Sequence, residues 1–233
     1  MRHTPIVTVG RYLLLDRVTY LVLPWVWAAF GFLLDVVILQ LTPAGNNDHH
    51  RWVGGLAALF IVVFVVGSQS VARALPFALT LGVSRRTYFA GVSSLALALA
   101  AGFGLVVAVG QILERATGGW GMNMGYFRVP YFLDGPWYLS WLTATTTFVL
   151  LFVYGMWYGL MYRRGGLSGT MIFGGAQLGV LALAAIIATG VHGWTAIGRF
   201  FTTITATGVT GLLAAAVVVM LAGGFATIRR LAV

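Results

Sequence analysis

The chain has 233 residues, of which 60% are hydrophobic and 8% are charged, and its mean hydropathy is +0.93. These values lie outside the range of soluble domains and indicate an integral membrane protein with no room for a separate soluble domain. The formal charge of +9 comes from fourteen arginines and no lysine, which is typical of cytoplasmic loops and argues against a nucleic-acid site.

The length of the apolar runs predicts the fold class. At about 20 apolar residues per span, the chain can supply about six transmembrane helices with short connections. We therefore predict an all-α polytopic membrane protein that forms a single transmembrane domain over 1–233. The predicted spans are 21–41, 53–71, 88–113, 139–161, 167–191 and 202–228.

Residues 1–20 precede the first predicted span and carry a weak amphipathic pattern. Charged side chains such as Arg11 and Asp16 alternate with apolar ones such as Val9 and Leu13. The pattern predicts a helix that lies in the membrane interface. A simple N-terminal extension of the first span explains the same pattern nearly as well.

Asp35 is the one acidic residue inside a predicted span. An intramembrane carboxylate is costly, so it is a candidate for function by default. It could hold a proton or a cation, or line a substrate path. Alternatively, it is an interface carboxylate whose partner is Gln40 or water.

The segment 72–88 interrupts the apolar chain between the second and third predicted spans. Pro76 is tolerated in the first turn of a helix, and Gly82 suits the end of one. Because Ser84 can cap the helix that follows, residues 75–81 are predicted to form one short helix. Such a helix is too short to cross a bilayer and too apolar for water, so it is predicted to contact another protein or to rest among lipid headgroups.

The segment 114–138 is predicted to be an extracytoplasmic loop rich in aromatic residues. Aromatic side chains favour membrane interfaces, so the loop forms either an aromatic belt or a gate over an outer exit path. The residues of a possible substrate path or gate are Asp35, Trp120, Phe127 and Phe132.

The arginine distribution predicts the orientation, because basic residues in short loops are retained on the cytoplasmic side. With the N-terminus inside, every predicted inner segment carries at least two arginines. Both termini and the segment 72–88 are therefore predicted to be cytoplasmic, in an inner (plasma) membrane. The inner arginines are Arg2, Arg11, Arg17, Arg73, Arg85, Arg86, Arg163, Arg164, Arg229 and Arg230, and the outer ones are Arg51, Arg115, Arg128 and Arg199.

Several catalytic and metal-binding motifs are weak or absent. A Walker-type nucleotide site needs a lysine, and the chain has none. Ser168 lies in a Gly-Leu-Ser-Gly run similar to the nucleophile motif of rhomboid intramembrane proteases, but His192 lies about 36 Å of helix away. We therefore expect Ser168 to cap the fifth span. No metal site is predicted, because His49 and His50 beside Asp48 lack a second set of ligands.

The whole arrangement resembles the membrane subunits of ABC transporters of the type-2 exporter class. The most specific part is the segment 75–91, LPFALTLGVSRRTYFAG, with its Leu-Gly-x-Ser-Arg-Arg run followed by an aromatic residue and glycine. In that family such a run marks the coupling helix, which docks on a separate ATPase subunit. Many members of the family have a pair of re-entrant outer helices between the fifth and sixth spans. The connection at this position in the present chain is short for such a pair. The resemblance implies ATPase coupling through Leu75, Pro76, Phe77, Leu79, Leu81, Gly82, Ser84, Arg85 and Arg86.

The resemblance implies a half-transporter that pairs with a second permease subunit and two ATP-binding-cassette ATPase chains among membrane lipids. The chain would not be an enzyme by itself and would bind no cofactor, because ATP and Mg²⁺ belong to the partner ATPase. Amphiphilic substrates would move outward between the two halves. Two other functions remain open: an ion-coupled transporter or channel that uses Asp35, and an intramembrane serine hydrolase that uses Ser168.

Cysteine labelling tests the predicted orientation, and the absence of native cysteine keeps the background low. Single cysteines at Asn47 and Gly121 should react with an impermeant maleimide from outside intact cells. Cysteines at Ser84 and Gly165 should react only after the inner face is exposed. A reversed pattern would overturn the orientation.

Overall fold

The computed structural model describes residues 5–42, 51–129, 133 and 135–229, and helices dominate this part of the chain. Two short strands, β1 and β2, pair in parallel, with Arg51 opposite Met124 and Trp52 opposite Gly125. A π-helical turn, Val18–Val22, leads directly into the second helix. The elements are α1 Pro5–Leu13, α2 Leu23–Leu41, β1 Arg51–Trp52, α3 Leu56–Ala72, α4 Ala74–Thr80, α5 Arg85–Ala116, β2 Met124–Gly125, α6 Trp137–Gly190, α7 Trp194–Thr203 and α8 Ala206–Arg229.

Five helical segments of the described chain are long and apolar enough to cross a membrane. This finding agrees with the predicted class of helical membrane protein. The segments are Val18–Leu41, Leu56–Thr80, Arg85–Ala116, Trp137–Gly190 and Ala206–Ile228.

The longest helix, α6, folds back on itself at Gly166, where φ is 61° and ψ is −150°. Side chains on either side of this glycine pair in reverse order. The ring of Tyr158 packs on that of Phe173 at 5.2 Å, and the Tyr154 hydroxyl donates to the Gln177 side-chain oxygen. The chain therefore reverses direction at Gly166. We call 137–165 the first arm of α6 and 167–190 its second arm.

Glycines bring α3 and the first arm of α6 into backbone contact. A Cβ atom at Gly155 would overlap the carbonyl oxygen of Phe64, and one at Gly67 would overlap that of Phe152. A Cβ at Gly159 would lie 2.5 Å from the Ser68 carbonyl oxygen. The GxxxG spacing of Gly155 and Gly159 thus serves packing within the chain.

The other GxxxG pair, Gly175 and Gly179, lies on the exposed second arm of α6. A Cβ atom added at either position would meet no atom of the described residues within 4 Å. These two glycines therefore make no close contact within the part of the chain that the structure describes.

The bundle has two distinct ends, which we call the α4 end and the loop end. At the α4 end, α1 meets α4 through stacked rings of Tyr12 and Phe77, 5.6 Å apart. The turn of α6 lies at the same end, because Arg164 donates to the Thr227 carbonyl oxygen near the end of α8. The loop end carries β1, β2 and residues 117–129, 133 and 135–136 of the connection between α5 and α6.

The N-terminal helix is shorter than the predicted segment 1–20. It ends at Leu13, and a turn separates it from the π-helical turn that begins at Val18. Val9 and Leu13 are buried, and α1 packs against α5. The alternative of a continuous extension of the first span is therefore wrong.

Two predicted boundaries also need correction. Helix α5 continues to Ala116 before Gly118 adopts φ 62°, so the loop is shorter than 114–138 and Glu114 belongs to the helix. The connection before α8 contains the exposed helix α7, so α8 begins at Ala206 and not at residue 202.

The close contact between α3 and the first arm of α6 predicts that the same glycine-to-alanine substitution has different effects on stability at positions 155 and 175. Gly155→Ala should lower the thermal unfolding temperature in detergent, because the new methyl group overlaps the α3 backbone. Gly175→Ala should leave it unchanged or raise it slightly, since alanine favours a helix over glycine by up to about 1 kcal/mol. Equal unfolding temperatures for the two variants would contradict this packing.

Candidate functional site

The helix α4 exists as a separate element because of Pro76. Proline has no N–H to donate to the carbonyl oxygen of Ala72, and its ring clashes with that carbonyl in a continuous helix. Helix α3 accordingly ends at Ala72, and Arg73 separates it from α4, which begins at Ala74. The predicted short helix 75–81 is confirmed, with bounds shifted by one residue.

The predicted end of α4 is confirmed as well. Gly82 follows the helix with φ +78°, a conformation that favours glycine. The Ser84 hydroxyl accepts a hydrogen bond from the Thr87 amide at 3.2 Å and so caps α5. Behind this turn, the buried Tyr88 donates its hydroxyl to the Ser70 carbonyl oxygen of α3. These bonds cap the start of α5 and tie it to the end of α3, on either side of α4.

The two faces of α4 differ in exposure. Leu75 and Ala78 are buried, whereas Phe77 is 53% exposed and Leu81, just after the helix, is 63% exposed. Leu75 therefore belongs to the core and cannot contribute to an outer contact surface. Of the other residues implied to couple, Gly82, Ser84 and Arg86 are exposed and Pro76, Leu79 and Arg85 are half-buried.

At the loop end, a buried glutamate organises the connection between α5 and α6. Glu114 is 1% exposed. One carboxylate oxygen accepts hydrogen bonds from the backbone amides of Tyr126 and Phe127, both at 2.8 Å, and from the indole N–H of Trp120 at 3.2 Å. The other oxygen accepts from the Arg128 amide at 3.3 Å. The carboxylate thus satisfies donors that the folded loop would otherwise bury without partners.

Two more side chains of α5 hold the same loop. The Gln111 amide group donates to the carbonyl oxygens of Phe127 at 3.0 Å and Leu133 at 2.6 Å. Arg115 donates to the Gly135 carbonyl oxygen at 2.9 Å. Sequence reasoning missed Glu114 and Gln111; the available signal was a pair of polar residues near the end of an apolar helix, directly before a glycine-rich run.

The aromatic residues of the loop pack inward onto α2. Tyr126 is buried, and its hydroxyl donates to the Ala28 carbonyl oxygen at 2.5 Å. The ring of Phe32 meets the rings of Trp120 and Tyr126 edge-to-face at 5.4 and 5.2 Å. The interpretation as an aromatic belt is therefore wrong for Tyr126, which lies inside the protein.

An apolar groove of about 420 Å³ opens between α2, α5 and the loop. It brings together the predicted path residues Trp120 and Phe127, whereas Phe132 lies outside the described residues. Trp120 adopts a left-handed conformation with φ 62°, which is uncommon for a side chain of this size. The lining residues are Trp25, Ala28, Ala29, Phe32, Leu33, Val106, Trp120, Tyr126 and Phe127.

Asp35 does not line this groove. Its carboxylate accepts a hydrogen bond from the Gly55 amide at 2.8 Å, at the start of α3. The partial positive charge of a helix N-terminus favours a carboxylate there. Gly31 and Gly55 let α2 approach closely enough for this bond, because a Cβ at Gly31 would lie 2.5 Å from the Gly55 carbonyl oxygen. Gly55 is thus a partner that the sequence did not reveal; Gln40 is exposed.

Ser168 and His192 lie near opposite ends of the second arm of α6. Both are exposed. They are 24 positions apart, which corresponds to about 36 Å of helix, so they cannot form a nucleophile and base pair. The histidines at 3, 49 and 50, together with Asp48, fall outside the described residues.

Comparison of the chain with protein-family models, with curated proteins and with solved structures finds no match.

The role of Glu114 predicts a local effect on the loop. Glu114→Gln replaces an accepting oxygen with an amide N–H₂ group, which cannot accept hydrogen bonds from the backbone amides around it. The backbone amides of Tyr126 and Phe127 should therefore exchange hydrogen at least about tenfold faster. Ile112→Ala is the matched control, because Ile112 is an exposed neighbour on α5. Hydrogen exchange measured by mass spectrometry checks this, and unchanged protection in Glu114→Gln would contradict the assigned role.

Proposed function

We propose that the chain is the permease half of an ATP-driven exporter of the ABC type-2 class. The observation that carries the proposal is α4, a short helix at the end of the second membrane-length segment, directly before the third. Phe77 and Leu81 are exposed there, and the exposed Arg73 and Arg86 flank them. An exposed apolar surface with a basic rim suits docking of a separate ATPase subunit.

We propose six membrane spans for this permease. The reversal at Gly166 supports counting the two arms of α6 as separate spans, which adds one to the five apolar segments. Arg163 and Arg164 are exposed at this turn, on the same end as α4. Basic residues concentrated at one end support a cytoplasmic α4 end, with both chain termini on that side.

The apolar groove at the loop end is a candidate for part of the substrate path. Its aromatic lining suits the hydrocarbon part of an amphiphilic substrate, and its position beside the ordered loop suits release toward the outer leaflet. A second permease subunit, identical or related, would complete the path. ATP and Mg²⁺ would be bound by the partner ATPase.

The two rival functions have less support. An ion-coupled mechanism would require Asp35 to exchange a proton or cation, yet its carboxylate already holds the Gly55 amide at the start of α3. A serine hydrolase would require a base beside Ser168, and His192 is too distant.

Substitution of an exposed apolar residue of α4 should uncouple the two subunits. Leu81→Asp places a charge in the proposed contact, and a charge buried without a partner there should reduce ATP-driven transport by at least about tenfold. Leu81 is mostly exposed in the single chain, so folding should be preserved. Transport by proteoliposomes that hold the whole complex measures the effect.

Leu15→Asp is the matched control, because Leu15 is 80% exposed at the α4 end but lies outside α4. It should retain most of the transport. Equal activity of both variants and the unmodified complex would refute docking through α4. Transport driven by a proton gradient alone, and lost in Asp35→Asn, would favour the ion-coupled function instead.

A further inference from the structure

A polar cavity of about 280 Å³ lies at the α4 end, away from the apolar groove. Its walls come from α1, the π-helical turn, the last turns of α3 and the first residue of α4. The cavity lies where the membrane-length segment Val18–Leu41 begins, beside the boundary between α3 and α4. Its polar lining consists of Tyr12, Asp16, Thr19, Tyr20, Gln69 and Arg73.

Two opposite charges face this cavity without neutralising each other. Asp16 and Arg73 both line it, and in the described part of the chain neither forms an ion pair. Asp16 is held in place by the Thr19 amide, which donates to its carboxylate at 3.1 Å. Hydrogen bonds from the Thr19 side chain, and secondarily from its backbone, lower the pKa of Asp16, so the carboxylate is ionised at neutral pH.

Tyr20 supplies a second, independent observation that points to a ligand. It is 5% exposed and forms part of the cavity wall. Its hydroxyl has no hydrogen-bond partner among the residues that the structure describes. A tyrosine hydroxyl at the cavity wall is therefore available to donate a hydrogen bond to a ligand.

The local backbone is also unusual. Thr19 and Tyr20 both belong to the π-helical turn Val18–Val22. Such turns are rare and occur frequently at functional sites, because the extra residue per turn changes where side chains project. Here the turn brings two consecutive residues to one cavity.

We propose that this cavity binds the headgroup of a zwitterionic membrane phospholipid of the phosphoethanolamine type. Arg73, Gln69 and the tyrosine hydroxyls supply donors for the phosphate, and Asp16 accepts from the ammonium group. A cavity lined by both a carboxylate and a guanidinium suits a dipolar headgroup better than a simple anion. The lipid source follows from the position of the cavity beside the start of a membrane-length helix. The proposal does not depend on the transport function.

Native mass spectrometry of the detergent-purified chain tests it. The chain is titrated with phosphatidylethanolamine, phosphatidylglycerol and phosphatidylcholine that have identical acyl chains. Because the protein is strongly basic, simple charge attraction would favour the anionic phosphatidylglycerol. The proposal instead expects phosphatidylethanolamine to bind about tenfold more tightly than either of the others.

Variants locate the binding site. Arg73→Gln and Asp16→Asn should each remove most of this preference, whereas Arg163→Gln, at an exposed arginine of the same end that lies outside the cavity, should keep it. If either cavity variant fails to fold, a photoactivatable phosphatidylethanolamine on the unmodified chain should crosslink to residues 12–20 and 69–74.

Three results would overturn the proposal. One is equal or stronger binding of phosphatidylglycerol to the unmodified chain. Another is a preference that survives both cavity variants, or crosslinks confined to other segments. The third is binding of soluble O-phosphoethanolamine with no retained phospholipid, which would assign the cavity to a soluble ligand with the same headgroup chemistry.

Discussion

The backbone contact between α3 and the first arm of α6 is the constraint on which the rest of the structure depends. Apolar helices gain little from burial against each other in lipid, so close approach through small residues becomes the main source of specific packing. Gly67, Gly155 and Gly159 provide that approach. Once α3 is fixed, its start holds the Asp35 carboxylate and its end carries α4. One packing contact therefore positions both α4 and the hydrogen bond between Asp35 and Gly55.

The two ends of the bundle differ in how their polar groups are hydrogen-bonded. At the loop end, Glu114 and Gln111 satisfy backbone groups of the folded connection, and aromatic rings fill the space toward α2. At the α4 end, apolar residues such as Leu81 remain exposed, and the cavity beside Tyr20 is lined by donors and by the Asp16 carboxylate. The α4 end is therefore suited to contacts with other molecules.

Local sequence signals predicted much of the fold, because they act on neighbouring residues. Hydropathy located the membrane-length helices, and Pro76, Gly82 and Ser84 determined α4 through rules that need no tertiary information. The backbone partners of Glu114 and Asp35 could not be predicted, since these donors lie 12 or more residues away along the chain and meet the carboxylates only in the folded state. Helix α7 was not predicted, because hydropathy, which located the long apolar segments, did not separate these ten residues from the connection before α8.

The central claim is that α4 docks on a nucleotide-hydrolysing subunit. A photoreactive amino acid at position 81, introduced into the chain in its native membrane, tests it directly. The claim predicts one dominant crosslinked product, which contains a protein with the phosphate-binding motif GxxxxGK[ST] and which disappears when the probe is moved to the buried position 75. Crosslinks to lipid alone, together with transport by the purified single chain, would contradict it.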